Sequence, residues 1–137
     1  MTAESTIGAA ARKAGCSVPT VRYYEQIGLL NPANRTASGH RTYVQRDIQS
    51  LRLIRRCRDF GMPIKDIAVL IAVDAGPSDC SAALTLINSH RTSLRTHIAE
   101  LKSLERELAL MAERCSDTCL GGTTDCCTIY SDLSVPR

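Results

Sequence analysis

Between Ser78 or Asp79 and about Cys115, apolar residues return at every seventh position, at Ile87, Leu94, Leu101 and Leu108, while Ile98, Leu104 and Met111 fill the adjoining seam. This is the pattern of one long helix with an apolar stripe down one side. Such a stripe needs a partner helix, because burial of the stripe is what holds a helix of this kind in place. No second stretch of the chain is long enough to supply one. The partner is therefore expected to be the same helix of another copy, making the protein a homodimer.

At 137 residues the chain suits one modest domain plus an extended helix and is too short for two large cores. The opening stretch MTAESTIGAAARKAGC has no cleavage-type signal, and no run of about 18 apolar residues occurs anywhere. A cytoplasmic protein with no membrane partner is the expectation. Seven cysteines in a secreted chain would suggest disulfides. An odd number in a reducing compartment points instead to metal or redox chemistry. The formal net charge of +3 hides an asymmetry. Residues 1–72 hold eleven Lys or Arg against five acids, and residues 73–137 hold six against nine. The first half has the electrostatics of a polyanion binder and the second does not.

Local signals divide the first half into short elements. Thr6 can cap a helix with Ile7, Ala10, Ala11 and Ala14 at helical spacing, and Gly15 stops it. Ser17 can cap a second helix, with Pro19 in its first turn, Val18 and Val21 on one face and Gly28 at the exit. Two short helices joined through Gly15 and Cys16 form a helix-turn-helix pattern. NPANRTASGHRTY then reads as a loop or small β-wing ending in a strand-like HRTY. Residues 44–60 return to helical period, with Val44, Ile48, Leu51, Ile54 and Cys57 on one face. A further short helix runs from Pro63 to about Ala72, and AGPSD is the break before the long helix.

The strings TVRYYEQIGLL at 20–30, RTY at 41–43 and LRLIRRCRDFGMPIKDIAVL at 51–70 resemble the MerR family of transcriptional regulators, over roughly residues 5–72. The long helix and the cysteine cluster extend the resemblance to the family's metal-responsive branch. The resemblance implies a mainly α fold in three parts. These are a winged helix-turn-helix DNA-binding domain at 1–75, a dimerisation helix at 76–115 forming an antiparallel coiled coil, and a cysteine-rich metal-binding loop with a short terminal helix at 116–137. It also implies double-stranded promoter DNA and RNA polymerase as partners, with activation by distortion of an over-long promoter spacer.

Arg22 would project from the recognition helix as a permanently charged fork able to grip a phosphate or a guanine edge. The alternative is a surface ion pair with Glu25 or another acid. Tyr23 and Tyr24 offer hydroxyls to the DNA backbone and rings for packing, and one of the two is expected in the core. Thr20 joins the same DNA-contacting set. By resemblance, Arg41 and Tyr43 belong to the first wing and contact phosphates, with Arg35, Ser38 and His40 as secondary candidates. Lys65 is the candidate in a second wing. Arg52, Arg55, Arg56 and Arg58 read as a solvated helix face.

Cys80 falls in the first turn of the long helix, where unsatisfied N–H groups favour a thiolate. Cys115 lies 35 residues later, five heptads, so the two share the stripe at opposite ends. In the antiparallel dimer that the resemblance implies, opposite ends meet, and Cys80 would approach Cys115 of the partner subunit. The second loop ligand is assigned by resemblance to Cys126, ahead of the terminal helix. Here the sequence departs from the family. Ten residues separate Cys115 from Cys126, more than is usual, and they include Cys119, which enters as an auxiliary ligand. Cys127 ranks below it, and Cys16 and Cys57 read as small packing residues. Thiolate sulfur selects soft ions, so the expected effector is divalent mercury, lead, cadmium or zinc. The alternatives are a redox-sensing regulator using the cysteine cluster and a non-regulatory thiol metal-binding protein. No C-x-x-C, base-bearing site or nucleotide loop is present, so the chain is read as non-enzymatic.

Overall fold

The computed structural model describes residues 4–74, 80–118 and 127–136. It divides into two units, Met1–Ile87 and Asn88–Arg137.

The first unit opens on a residue with two tasks. Thr6 is extended, so it can end strand β1 (Ser5–Thr6) and also cap helix α1 (Ile7–Ala14), its hydroxyl accepting the Ala9 amide at 3.3 Å. The cap was legible in the sequence and the strand was not, because two residues leave no periodicity to read. Gly15 ends α1 in the left-handed region at φ 70°, where its amide reaches Arg12 O and the Cys16 amide reaches Ala11 O. The Arg55 guanidinium covers this turn. A Cβ on Gly15 would lie 1.8 Å from Arg55 Nη1. Ser17 then caps α2 (Val18–Gln26) by accepting the Thr20 amide at 3.2 Å.

The wing follows as expected. Strands β2 (Asn34–Arg35) and β3 (Arg41–Tyr43) pair antiparallel, and β1 adds to the other side of β3 to give the order β1-β3-β2. The wing tip is tied by its own polar groups. The Gly39 amide donates to Thr36 O at 2.8 Å, and Arg35 Nη1 donates to Gly39 O at 3.1 Å.

Helix α3 (Gln45–Asp59) is shorter by one residue at each end than the spacing predicts, because Val44 and Phe60 are its caps. Asp47 accepts the Val44 amide at 2.8 Å, which secures its first turn. The expected apolar face is the observed one: Ile48, Leu51, Ile54 and Cys57 are all buried. Together with α1, Val21, Tyr43 and Ile67 they form one core, and α1 packs against α3. Helix α4 (Ile64–Asp74) starts one residue after Pro63 and runs two residues beyond the predicted end.

Helix α5 (Ser81–Thr118) is 38 residues of continuous helix that begins in the first unit and makes up most of the second. Its stripe is bare in the single chain. Leu101 is 65 % exposed, and Leu94, Ile98, Leu104 and Leu108 are also exposed. Helix α6 (Thr128–Ser134) has Cys127 at its N-cap and no buried residue. Among the described residues no helix is long and apolar enough to cross a membrane.

Candidate functional site

Glu25 on α2 joins that helix to the wing through both of its carboxylate oxygens. Glu25 accepts the Tyr43 hydroxyl at 2.5 Å on Oε1 and pairs with Arg41 Nε at 3.2 Å through Oε2. Only a tenth of the Glu25 side chain is exposed, so the two bonds carry more weight than a surface pair would. Burial first, and then the Glu25 hydrogen bond, push the Tyr43 hydroxyl well above the usual tyrosine range. This places Tyr43 inside the molecule. Its ring has no exposed surface, and its hydroxyl faces Glu25 rather than a phosphate. Sequence reasoning missed Glu25 as the hub, since its partners lie 16 and 18 residues away and signal nothing locally.

With both Glu25 oxygens engaged, Arg22 is left exposed on α2. Arg22, Arg35 and Arg41 line one groove together with Glu25, Gln26, Pro32 and Ala33. Arg22 and Arg41 also line a second groove with Thr6, Ile7, Gly39 and His40. Three guanidinia are thus gathered where helix and wing meet, an arrangement suited to phosphate oxygens and base edges. Tyr23 is 50 % exposed, with its ring 5.7 Å from that of Tyr24, which is the core tyrosine of the pair. Thr20 has its hydroxyl 2.7 Å from that of Ser17. Lys65 is exposed on α4 and lines neither groove.

Glu25→Ala is expected to cost about 1–3 kcal/mol of stability, because it strands a buried hydroxyl and releases Arg41. Tyr43→Phe, which removes the donor instead, should cost less in a urea titration. The pH dependence has a definite sign. A tyrosine whose folded pKa is raised contributes stability that is intact below about pH 10 and is lost as pH rises toward the folded value. Tyr43→Phe should therefore flatten the alkaline loss. Tyr24, raised chiefly by burial, would account for part of what remains.

Arg52, Arg55, Arg56 and Arg58 on α3 are exposed, yet each of these four has a local task. Arg52 Nε donates to Lys13 O at 3.0 Å, Arg55 covers Gly15, Arg56 stands 5.7 Å from the Phe60 ring centre, and Arg58 donates to Met62 O at 2.9 Å. They brace the helix-turn-helix and the end of α3.

The cysteines fall into two groups. Cys57 is buried and Cys16 half-buried, and desolvation raises both thiols, so they stay protonated and pack as apolar groups. Cys80 is exposed immediately before α5, Cys115 is half-buried in the last turns of α5, and Cys127 is half-buried at the start of α6. The expected ligands Cys119 and Cys126 lie outside the described residues. Among the described residues no group of three or more His, Cys, Asp or Glu stands close enough to hold a metal ion.

A helix-turn-helix beside a short wing, with arginines exposed on both, defines a winged helix-turn-helix protein equipped for duplex DNA. Comparison with known proteins agrees. Residues 5–73 match the MerR HTH family regulatory protein model and residues 48–111 the model described as MerR, DNA binding. The chain belongs to the MerR family of transcription regulators, a class without enzymatic activity. It is 39% identical over 121 residues to the HTH-type transcriptional regulator HmrR of Sinorhizobium medicae, which spans 88% of this chain and 80% of that one. Among solved structures it resembles the transcription regulator PbrR691 from Ralstonia metallidurans CH34 in complex with lead(II). That match has a TM-score of 0.81 and 34% identity, over 95% of this chain and 99% of the other. It also resembles HiNmlR, a MerR family regulator lacking the sensor domain, bound to promoter DNA, with a TM-score of 0.59 and 28% identity over 98% of each chain.

Proposed function

We propose that the protein is a metal-responsive regulator that binds promoter DNA as a homodimer and activates transcription by DNA distortion when a soft divalent ion binds. The observation that carries this reading is the heptad phase shared by Cys80 and Cys115 at the two ends of α5, on a stripe that is otherwise apolar and exposed. An antiparallel pairing of two such helices buries the stripe and brings Cys80 of one protomer to Cys115 of its partner. The donor chemistry fits. Thiols are soft ligands, and an exposed Cys80 with a half-buried Cys115 can serve an ion without opening the core. Cys126 completes the set, with Cys119 as an auxiliary for tetrahedral ions.

In this reading residues 1–75 bind DNA, 76–115 dimerise and 116–137 close the metal loop. Arg22 reads a base edge or grips a phosphate, Arg41 and Arg35 hold the backbone from the wing, Thr20 and Tyr23 flank Arg22, and Lys65 contributes from α4. The relatives support the ion: one is named a heavy metal-dependent transcription regulator and another was solved with lead(II). RNA polymerase is the partner at the promoter, and the cytoplasm is the compartment.

Titrating the purified protein with cadmium, lead, mercury and zinc, while following sulfur-to-metal absorption and promoter transcription together, tests the proposal. Both signals should rise over the same range. Transcription that follows thiol oxidation and ignores metal would favour the redox reading. On the DNA side, Arg22→Ala should weaken operator binding by about 1–3 kcal/mol if it reads a base, and lower the salt dependence if it neutralises a phosphate. Unchanged binding by the folded variant would count against the recognition-helix assignment.

A further inference from the structure

The groove between α2 and the wing is lined by three arginines and one acid. An acid on a face that takes phosphates opposes their binding by charge alone. Glu25 stands in the last turn of α2, and its side chain is largely covered. The buried Tyr43 hydroxyl donates to Oε1, which fixes the carboxylate and presents Oε2 to Arg41. Arg41 meets it at 3.2 Å through Nε, the inner nitrogen of the guanidinium. The remaining N–H donors of an arginine lie on its two terminal nitrogens, further out along the fork. The Arg41 side chain is 39 % exposed and lines both grooves, so its inner end is held while its outer end stays open to a ligand.

We propose that Glu25 is a positioning residue for DNA binding: it holds Arg41 by Nε, so that the terminal nitrogens are set toward a backbone phosphate before the duplex arrives. This deepens the reading of the wing as a DNA-contacting element and rests on it. A loose arginine samples many rotamers, and ordering it on a phosphate lowers affinity, whereas one already ordered avoids that loss. The anchor also ties the wing to α2, because Glu25 belongs to α2 while Arg41 and Tyr43 belong to β3. Arg22 and Arg41 then approach the duplex in one fixed relation, and Glu25 itself touches no DNA. The sign of the effect is the distinguishing mark. Removing an acid beside three arginines tightens polyanion binding if charge alone matters, and loosens it if the acid holds one of them in place.

The test uses the full-length, metal-free protein and a duplex that the wild type selects from a random-sequence pool. Arg41→Ala should weaken binding about 10-fold and lower the salt slope by about one unit. Glu25→Gln keeps an acceptor for Tyr43 and removes the charge. It should weaken binding about 5-fold in the wild-type background, and not at all in the Arg41→Ala background, where there is no arginine left to position. NMR of nitrogen-labelled wild type gives a reading that needs no change at Glu25. The Arg41 Nε–H signal, assigned by its loss in Arg41→Lys, should exchange slowly with water and persist when the duplex is added. Glu25→Gln that binds as tightly as wild type or tighter overturns the proposal. So do equal losses in the two backgrounds, or an Nε–H signal that exchanges like free arginine or vanishes on DNA. If Arg41→Ala itself leaves affinity and salt slope unchanged, the wing reading fails and the proposal falls with it, a result distinct from failure at Glu25 alone.

Discussion

Cys80→Ser is expected to leave the fold and metal-free operator binding intact while abolishing transcription in response to metal. Cys80 is exposed ahead of α5 and takes no part in the core, so a hydroxyl in its place disturbs no packing. What it removes is a soft donor. Loss of an outer-shell group alone typically weakens a metal site by about 10–100-fold, and loss of a ligand should exceed that. A mixed dimer separates a shared site from a private one. With Cys80→Ser in one protomer and Cys115→Ser in the other, ligands shared across protomers leave one site with both cysteines and one with neither. Metal binding at half stoichiometry is the expected result. Two damaged sites and no intact one would mean that each chain binds its ion alone.

Leu101→Asp should produce an effect of similar size at a different level. A pairing that sets Cys80 against Cys115 of the partner sets Leu101 against Leu94 of the partner, so each dimer would bury two new carboxylates among leucines. At about 1–3 kcal/mol for each poorly satisfied polar group, and more for a retained charge, dimerisation should weaken by roughly 1000-fold or more. Sedimentation would then find monomer at micromolar concentration. Operator affinity should fall with it, because one winged domain grips one half-site. The first unit should stay folded, since its core of Tyr43, Ile48, Leu51, Ile54 and Ile67 owes nothing to Leu101. A full-affinity dimer would overturn the coiled-coil reading.

The parts of the molecule legible in the sequence are those written in neighbouring residues. Thr6, Ser17 and Gly15 mark their helix ends because a cap needs only a side chain or a backbone freedom at one position. The face formed by Ile48, Leu51, Ile54 and Cys57 could be read because burial repeats with the helix period. Glu25 could not. Its importance comes from Tyr43 and Arg41, which the chain brings to it only after the wing has folded back on α2. The burial of Tyr43 was hidden for the same reason, since a three-residue strand looks alike on either face until its partners are known.

The approach of Arg55 to Gly15 has a consequence for the routes by which this protein can change over generations. Any side chain at position 15 meets a guanidinium end at 1.8 Å and a positive φ together. The arginine end is flexible and can swing aside, whereas the backbone angle would still penalise a Cβ by about 1–2 kcal/mol. Variation at 15 is thus constrained twice, and only one constraint is relieved by prior change at 55. Position 55 is freer by itself, yet once it loses the arginine the exposed turn can collect substitutions that make the arginine hard to regain. The lasting constraint on this turn is thus the backbone angle, and the arginine above it is a removable one.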